Sequence, residues 1–164
     1  MSPRAAWRLE TLGFRDVIDY VPGKQAWFEA NQARVGTSLD ETWLGDVADE
    51  TVPTCGLDDR IGDLRERVDA DGRQTCVVVN DRGIVLGLLR HKALDSPKDK
   101  RAEDVMAPGP KTFRPNLRLE DLLESMREHD IKTNSLVTTG EGRLLGIISR
   151  ADAEATLAHE QGAG

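Results

Sequence analysis

Ser149 and Asp152 are the two residues whose types and spacing could do chemistry. They lie in the run Gly146-Ile147-Ile148-Ser149-Arg150-Ala151-Asp152, which reads as a strand passing straight into a helix. The first N–H groups of a helix lack internal partners and carry partial positive charge, so they attract anions. A hydroxyl at that junction can donate to a phosphate. A carboxylate one turn later only accepts hydrogen bonds, which suits the two hydroxyls of a ribose. The chemistry is therefore recognition of a phosphorylated ligand. The simpler alternative is structural: Ser149 caps the helix and Asp152 sits favourably in its first turn.

Nothing beside this pair could make or break bonds. There is no Ser-His-Asp order within reach, no nucleophilic Cys with a partner and no P-loop, so no enzyme is expected. The 2 cysteines, Cys55 and Cys76, lie beside apolar runs and read as buried hydrophobes rather than reactive thiols. The 3 histidines, His91, His129 and His159, have no neighbours at ligand spacing, so no metal site is expected. Net charge is −7, from 22 basic and 29 acidic residues. No basic stripe offsets that balance, which argues against nucleic acid as a partner. No apolar run approaches the roughly 20 residues that a membrane helix needs. The N-terminus lacks an apolar signal region, so the expected location is cytoplasmic.

The elements that must position the pair come in two copies. Each copy opens with an acid-Val pair, Asp46-Val47 or Asp104-Val105, and then a short segment built on a Thr, Pro53-Thr54-Cys55 or Lys111-Thr112-Phe113. An amphipathic helix follows, marked by Ile61, Leu64 and Val68 or by Leu119, Leu122, Leu123 and Met126. Two apolar strands joined by a tight glycine turn come next: Cys76 to Val79 with Ile84 to Leu89, and Ser135 to Val137 with Leu144 to Ile148. A final helix begins at once after Gly87 and Gly146. Each copy is thus strand, helix, strand, strand, helix. Neither offers much core alone, and two packed sheet to sheet about a pseudo-twofold axis would.

This pattern resembles the CBS domain (cystathionine-beta-synthase-type), and two in tandem resemble a CBS pair, or Bateman module. The likeness covers most of the chain. Its most specific element is Gly-x-x-Ser/Thr-x-x-Asp, matched by Gly146, Ser149 and Asp152. The resemblance implies that Ser149 contacts a ligand phosphate and Asp152 a ribose, with Arg150 between them among the ligand residues. It further implies that Thr112 lines the pocket at a strand entry, and that Lys132, Thr133 and Asn134 approach the base. Copy one keeps Gly87 but has Arg90 at the hydroxyl position and Ala93 at the Asp position. No ordinary nucleoside site is expected there. Arg90, His91 and Lys92 either reach a phosphate held by copy two or form a solvated basic face. At the helix starts, Arg60 and Arg118 replace the usual caps, leaving Asp58 or Asn116 to serve.

Residues 1–39 read as a helix, a short strand over Phe14 to Tyr20, a helix over Gln25 to Asn31 and a polar connection. Leu12, Gly13, Phe14, Val17, Tyr20, Gly23 and Trp27 resemble the C-terminal end of a rhodanese (sulfurtransferase) domain. That family's Cys-headed loop has no counterpart here, because the first Cys is Cys55. The resemblance implies a remnant used for packing or oligomer contact. Trp7, Trp27 and Phe28 are expected to pack on the rest of the protein or on a second subunit.

The expected architecture is α/β (α+β): two βαββα repeats, 40–97 and 98–158, after a helix-strand-helix extension and before a disordered tail, 159–164. The expected function is a regulatory module that reversibly binds an adenosine-containing ligand, mainly through repeat two. AMP, ADP, ATP, S-adenosylmethionine and cyclic dinucleotides all fit that implication, with no obligatory cofactor. The alternative is a ligand-free dimerisation or partner-binding module with a vestigial site. CBS pairs dimerise through helices, so a homodimer is expected, with Leu119, Leu122, Leu123, Met126 and Ala151, Ala155, Leu157 as candidate contacts, unless these form intrachain core.

Overall fold

Alternation along each strand sends neighbouring side chains to opposite faces, and here both faces are covered. The computed structural model describes residues 3–18, 22–30, 32, 41–70 and 75–162. Two short helices, α1 (Pro3–Thr11) and α2 (Gly23–Glu29), precede α3 (Leu44–Val47) and β1 (Thr54–Cys55). Then come α4 (Ile61–Ala70), β2 (Thr75–Val79), β3 (Val85–Arg90) and α5 (His91–Leu94). The pattern returns as α6 (Ala102–Val105), β4 (Ala107–Pro108), β5 (Thr112–Phe113) and α7 (Leu119–Glu128). It closes with β6 (Asn134–Thr138), β7 (Leu144–Ser149) and α8 (Arg150–Gly162).

One sheet has the order β1-β2-β3-β4 and the other β5-β6-β7. In each, the Thr-bearing strand runs parallel to the next one and the hairpin is antiparallel. Cys76, Val78 and Leu89 face α4, while Val77 and Leu88 face the opposite sheet. Val137 and Ile148 likewise face α7 and α8, while Leu136 and Ile147 meet Val77 and Leu88. The repeats are thus joined sheet to sheet. Their hairpin turns also bond each other: Val85 N–H donates to Gly142 O at 3.0 Å and Leu144 N–H to Gly83 O at 2.9 Å. Gly83 and Gly142 hold φ of 74° and 87°, which a tight hairpin turn requires and other residues resist.

The cores do not divide where contiguous repeats would place the boundary. Helix α3, which opens copy one, packs in the core of copy two: Leu44 lies with Leu119, Met126 and Val137. Helix α6, which opens copy two, packs in the core of copy one: Ala102 lies with Ile61, Leu64 and Leu94. Backbone bonds fasten both crossings. Leu44 N–H donates to Leu117 O, and Leu119 N–H to Thr42 O. Symmetrically, Ala102 N–H donates to Asp59 O, and Ile61 N–H to Lys100 O. The helix starts at Ile61 and Leu119 are therefore satisfied by crossing-segment carbonyls. Asp58 does not cap, because its carboxylate pairs with Arg101 at 2.8 Å.

Several expectations need correction. Residues 14–18 form bends and join no sheet, so the strand over Phe14 to Tyr20 is not formed there; Tyr20 itself lies outside the described residues. So do Asn31, residues 33–40 and the boundary near Asp40. Phe28 is buried and meets the Trp43 ring at 5.1 Å, as expected, and Glu29 Oε1 accepts the Gly140 N–H at 2.7 Å. Trp7 and Trp27 are exposed on this chain, so of the three only Phe28 is buried within it. Residues 159–162, expected as a disordered tail, continue α8. Leu119, Leu122, Leu123 and Met126 are fully buried in intrachain core, so they offer nothing to a second subunit.

Cys55 and Cys76 are free and buried on neighbouring strands. A hydrogen bond with Cys76, and then burial, push the Cys55 thiol up from its ordinary range. Thiol reagents need both access and thiolate. Ellman's reagent at neutral pH is therefore expected to label neither cysteine in the folded protein and both after denaturation. Rapid native labelling would contradict this packing.

Candidate functional site

Strand β7 ends at Ser149 because the next residue turns into α8, and the Arg150 N–H donates to Thr133 O at 2.7 Å, tying the junction to the start of β6. Ser149 Oγ accepts the Asp152 N–H at 3.0 Å and donates to Asp152 Oδ2 at 2.6 Å. The pair thus forms a reciprocal cap, as the structural alternative held. Its other face is open: Asp152 is exposed and Ser149 half-buried. Both border a depression rather than a flat surface.

That depression has two compartments. The larger, about 390 Å³, is bordered by Arg90 and His91 of repeat one and by Lys132, Thr133 and Ser149 of repeat two. The smaller, about 200 Å³, is bordered by Asp49, Val52, Ile147 and Asp152. Thr75, Asn134 and Ser149 line both. Thr75 and Asn134 occupy equivalent positions in the two hairpins, and Asn134 Nδ2 donates to Thr75 Oγ1 at 3.4 Å. This contact lies where the repeats meet.

The charges in the depression are sorted. Asp49 and Asp152 stand at the small end. Asp49 Oδ1 accepts the Thr51 N–H at 2.9 Å and the Thr51 hydroxyl at 2.6 Å, which orients it. Arg90, His91 and Lys132 stand at the large end. Lys132 also reaches Asp130 at 3.3 Å, and His91 reaches Asp95 at 3.8 Å, but all four groups are well exposed and such pairs bind weakly. The arrangement can take up a polar molecule with one hydroxyl-rich end and one anionic end. Among the described residues, no cluster of His, Cys, Asp and Glu could hold a metal ion.

The structure brings together Lys132, Thr133, Asn134, Ser149, Asp152 and Arg90. It separates three other candidates from them. Thr112 lies in β5 opposite Leu136 and lines neither compartment. The Arg150 side chain turns along its helix to Glu154, with Nε 2.9 Å from Oε1. Gly146 is buried beneath the crossing segment: a Cβ there would stand 2.8 Å from Asp49 O and 2.9 Å from Ala48 Cβ. Gly87 likewise faces Met106 and Ala107. The two glycines make room for the crossing segments, not ligand. Asp49 and Val52 escaped sequence reasoning because they come from the segment that crosses over. Thr75 was within reach, as the positional equivalent of Asn134.

Copy one has a counterpart depression of about 400 Å³, bordered by Leu88, Ala93, Val105 and Ala107, with Arg90 and Lys92 at its rim. Ala107 and Ala93 stand where copy two has Asp49 and Asp152. Among the described residues, no carboxylate lines it. Among the described residues, no helix is long and apolar enough to cross a membrane.

No curated protein matches the sequence. Solved structures do match by shape. CBSX2 in complex with AMP superimposes with a TM-score of 0.65 at 18% identity, covering 73% of this chain and 98% of that one. The CBS domain pair of protein MJ0100, in complex with 5-methylthioadenosine and S-adenosyl-L-methionine, gives 0.63 at 14% identity, over 73% and 98%. The CBS domains of a transcriptional regulator from Streptococcus pneumoniae give 0.62 at 16%, over 69% and 97%. Residues 102–158 match the sequence model of the CBS domain. That segment is similar to a CBS domain, and the chain has the fold of a CBS domain pair.

Proposed function

We propose that the chain is a regulatory module that reversibly binds an adenosine-containing ligand in the depression between its repeats. The observation that carries this reading is the charge-sorted, two-compartment depression centred on Thr75, Asn134 and Ser149, with the Asp152 carboxylate on its wall. In this reading Asp152 accepts from the ribose hydroxyls, Ser149 exchanges its bond to Asp152 for one to phosphate, Thr133 and Asn134 approach the base, and Lys132 reaches the phosphate. Thr112, Gly146 and the Arg150 side chain drop out as ligand contacts. The likeness to structures holding AMP, and holding 5-methylthioadenosine with S-adenosyl-L-methionine, supports the ligand class. Regulation would follow from linkage: a ligand touching both repeats favours whichever arrangement it binds better.

The test is thermal unfolding with AMP, ATP or S-adenosylmethionine at about 1 mM. A Kd near 10 μM then adds about 2.7 kcal/mol and raises Tm by roughly 5–11 °C for a chain of this size. Asp152→Ala is expected to abolish the shift. No shift for any ligand would overturn the reading.

One observation favours the alternative of a ligand-free interaction module: Ser149 and Asp152 already satisfy each other. Under it, Asp152→Ala would leave partner binding intact. A homodimer belongs to the proposal as well. The apolar face of α7 is used up internally, so α8, with Ala151 and Ala155 exposed, is the remaining candidate contact. Light scattering at twice 18.1 kDa would bear it out. Helix α2 serves as a packing element, held through Phe28 and Glu29, and the N-terminal piece belongs to the proposal as a rhodanese-like remnant.

A further inference from the structure

We propose that the ligand is a nucleoside polyphosphate, and that this site selects against neutral or cationic adenosine compounds. The inference rests on the reading above and adds the charge of the ligand's distal end. Two carboxylates, Asp49 and Asp152, border one end of the depression. Three basic side chains, Arg90, His91 and Lys132, border the other. This polarity sets the orientation. A ribose diol is a hydrogen-bond donor and goes to the carboxylates. Phosphates are repelled there and go to the basic end. Among the described residues, the Arg90 guanidinium has no ion pair or hydrogen bond of its own, so its full donor fork is available. Among the described residues, Lys132 pairs with Asp130 alone, and that pair is exposed.

The volume points the same way. The basic compartment is about 390 Å³ against about 200 Å³ for the acidic one, so the larger space lies at the basic end. A sulfonium or ammonium group carried to that end would meet three basic side chains and no carboxylate on the wall. Arg90 belongs to repeat one, whereas Lys132 and Ser149 belong to repeat two. The phosphate chain therefore touches both repeats. Arg90 at the position where repeat two has Ser149 is then a gain of function, not decay of the first site.

Calorimetric titration of the full chain with ATP, AMP, adenosine and S-adenosylmethionine, without magnesium, tests this. ATP is expected to bind at least about tenfold more tightly than adenosine or S-adenosylmethionine, each charge-assisted contact being worth about that factor. Its affinity should weaken as salt rises above about 0.15 M. The double variant Arg90→Ala/Lys132→Ala should lose at least about tenfold for ATP while its adenosine affinity is unchanged. Both positions are exposed, so the variant is expected to fold, and its unchanged melting temperature without ligand is the control. If adenosine or S-adenosylmethionine binds as tightly as ATP and is lost in Asp152→Ala, the adenosine site stands and the polyphosphate inference falls. The inference also falls if the double variant binds ATP normally. If none of the four binds, both readings fall together.

Discussion

Leu44→Ala is expected to destabilise the protein by about 2–5 kcal/mol, lowering Tm by roughly 4–20 °C for a chain of this length, and the damage should fall on the second repeat. Leu44 has no exposed surface and sits among Leu119, Met126 and Val137. Its own helix has four residues, too few to hold itself by backbone bonds. The side chain is therefore the anchor of the crossing segment. Truncation leaves a cavity under α7 and frees the segment that supplies Asp49 and Val52. Hydrogen exchange locates the effect. Amides of 119–128 and 134–138 should lose protection before those of 75–79. Loss confined to 75–79 would mean that α3 stabilises its own repeat and that the crossing is wrong.

Gly146→Ala is expected to cost about 1–3 kcal/mol by overpacking, despite the roughly 0.4–1 kcal/mol that Gly to Ala returns through the unfolded chain. The new Cβ would lie 2.8 Å from Asp49 O and 2.9 Å from Ala48 Cβ. The first of these is backbone, fixed on both sides by bonds between Asp49 and Ile147. Relief requires the whole crossing segment to shift, which also moves Asp49 and Val52 at the small compartment. Ligand affinity should fall with stability. At Gly87 the nearest atoms are Met106 Sδ and Cγ, the end of a flexible side chain, with Ala107 O farther off at 3.2 Å. Gly87→Ala should therefore cost less. Thermal melts of the two variants give the order, and a larger loss at Gly87 would show that the Asp49 segment yields.

The two glycines show how a correct motif can carry a wrong role. Their recurrence before Ser149 and Arg90 is visible in the chain and marks the repeat. Nothing local says that backbone from the other half lies across them. The same holds for the pocket. Ser149, Asp152, Lys132, Thr133 and Asn134 belong to one short stretch and its hairpin mate, so their proximity follows from a strand-helix junction beside a β-hairpin. Thr112 was placed with them by its position in the pattern, yet its strand runs along the other edge of β6, opposite Leu136. The place it was given is taken by Asp49 and Val52, from nearly a hundred residues upstream of Ser149.

What the chain determined by itself is whatever depends on neighbours in sequence. Apolar periods of two and of 3.6 residues set the strands and helices. Asn80-Asp81-Arg82-Gly83 and Gly140-Glu141-Gly142 set the hairpins, because only particular residues tolerate those turn dihedrals. Ser149 and Asp152 set the cap, because both partners lie within one turn. The failures have the same origin. The apolar face of α7 could be read, but not whether it meets another subunit or its own sheet, since burial has no local signature. Phe14 to Ile18 had strand-like composition but found no sheet partner. The tertiary structure decided which long-separated segments meet: the exchange of α3 and α6, the two compartments, and the placing of Arg90 opposite Lys132. Those choices rest on the total area buried when the two sheets close on each other, a quantity that belongs to the assembled fold and to no segment alone.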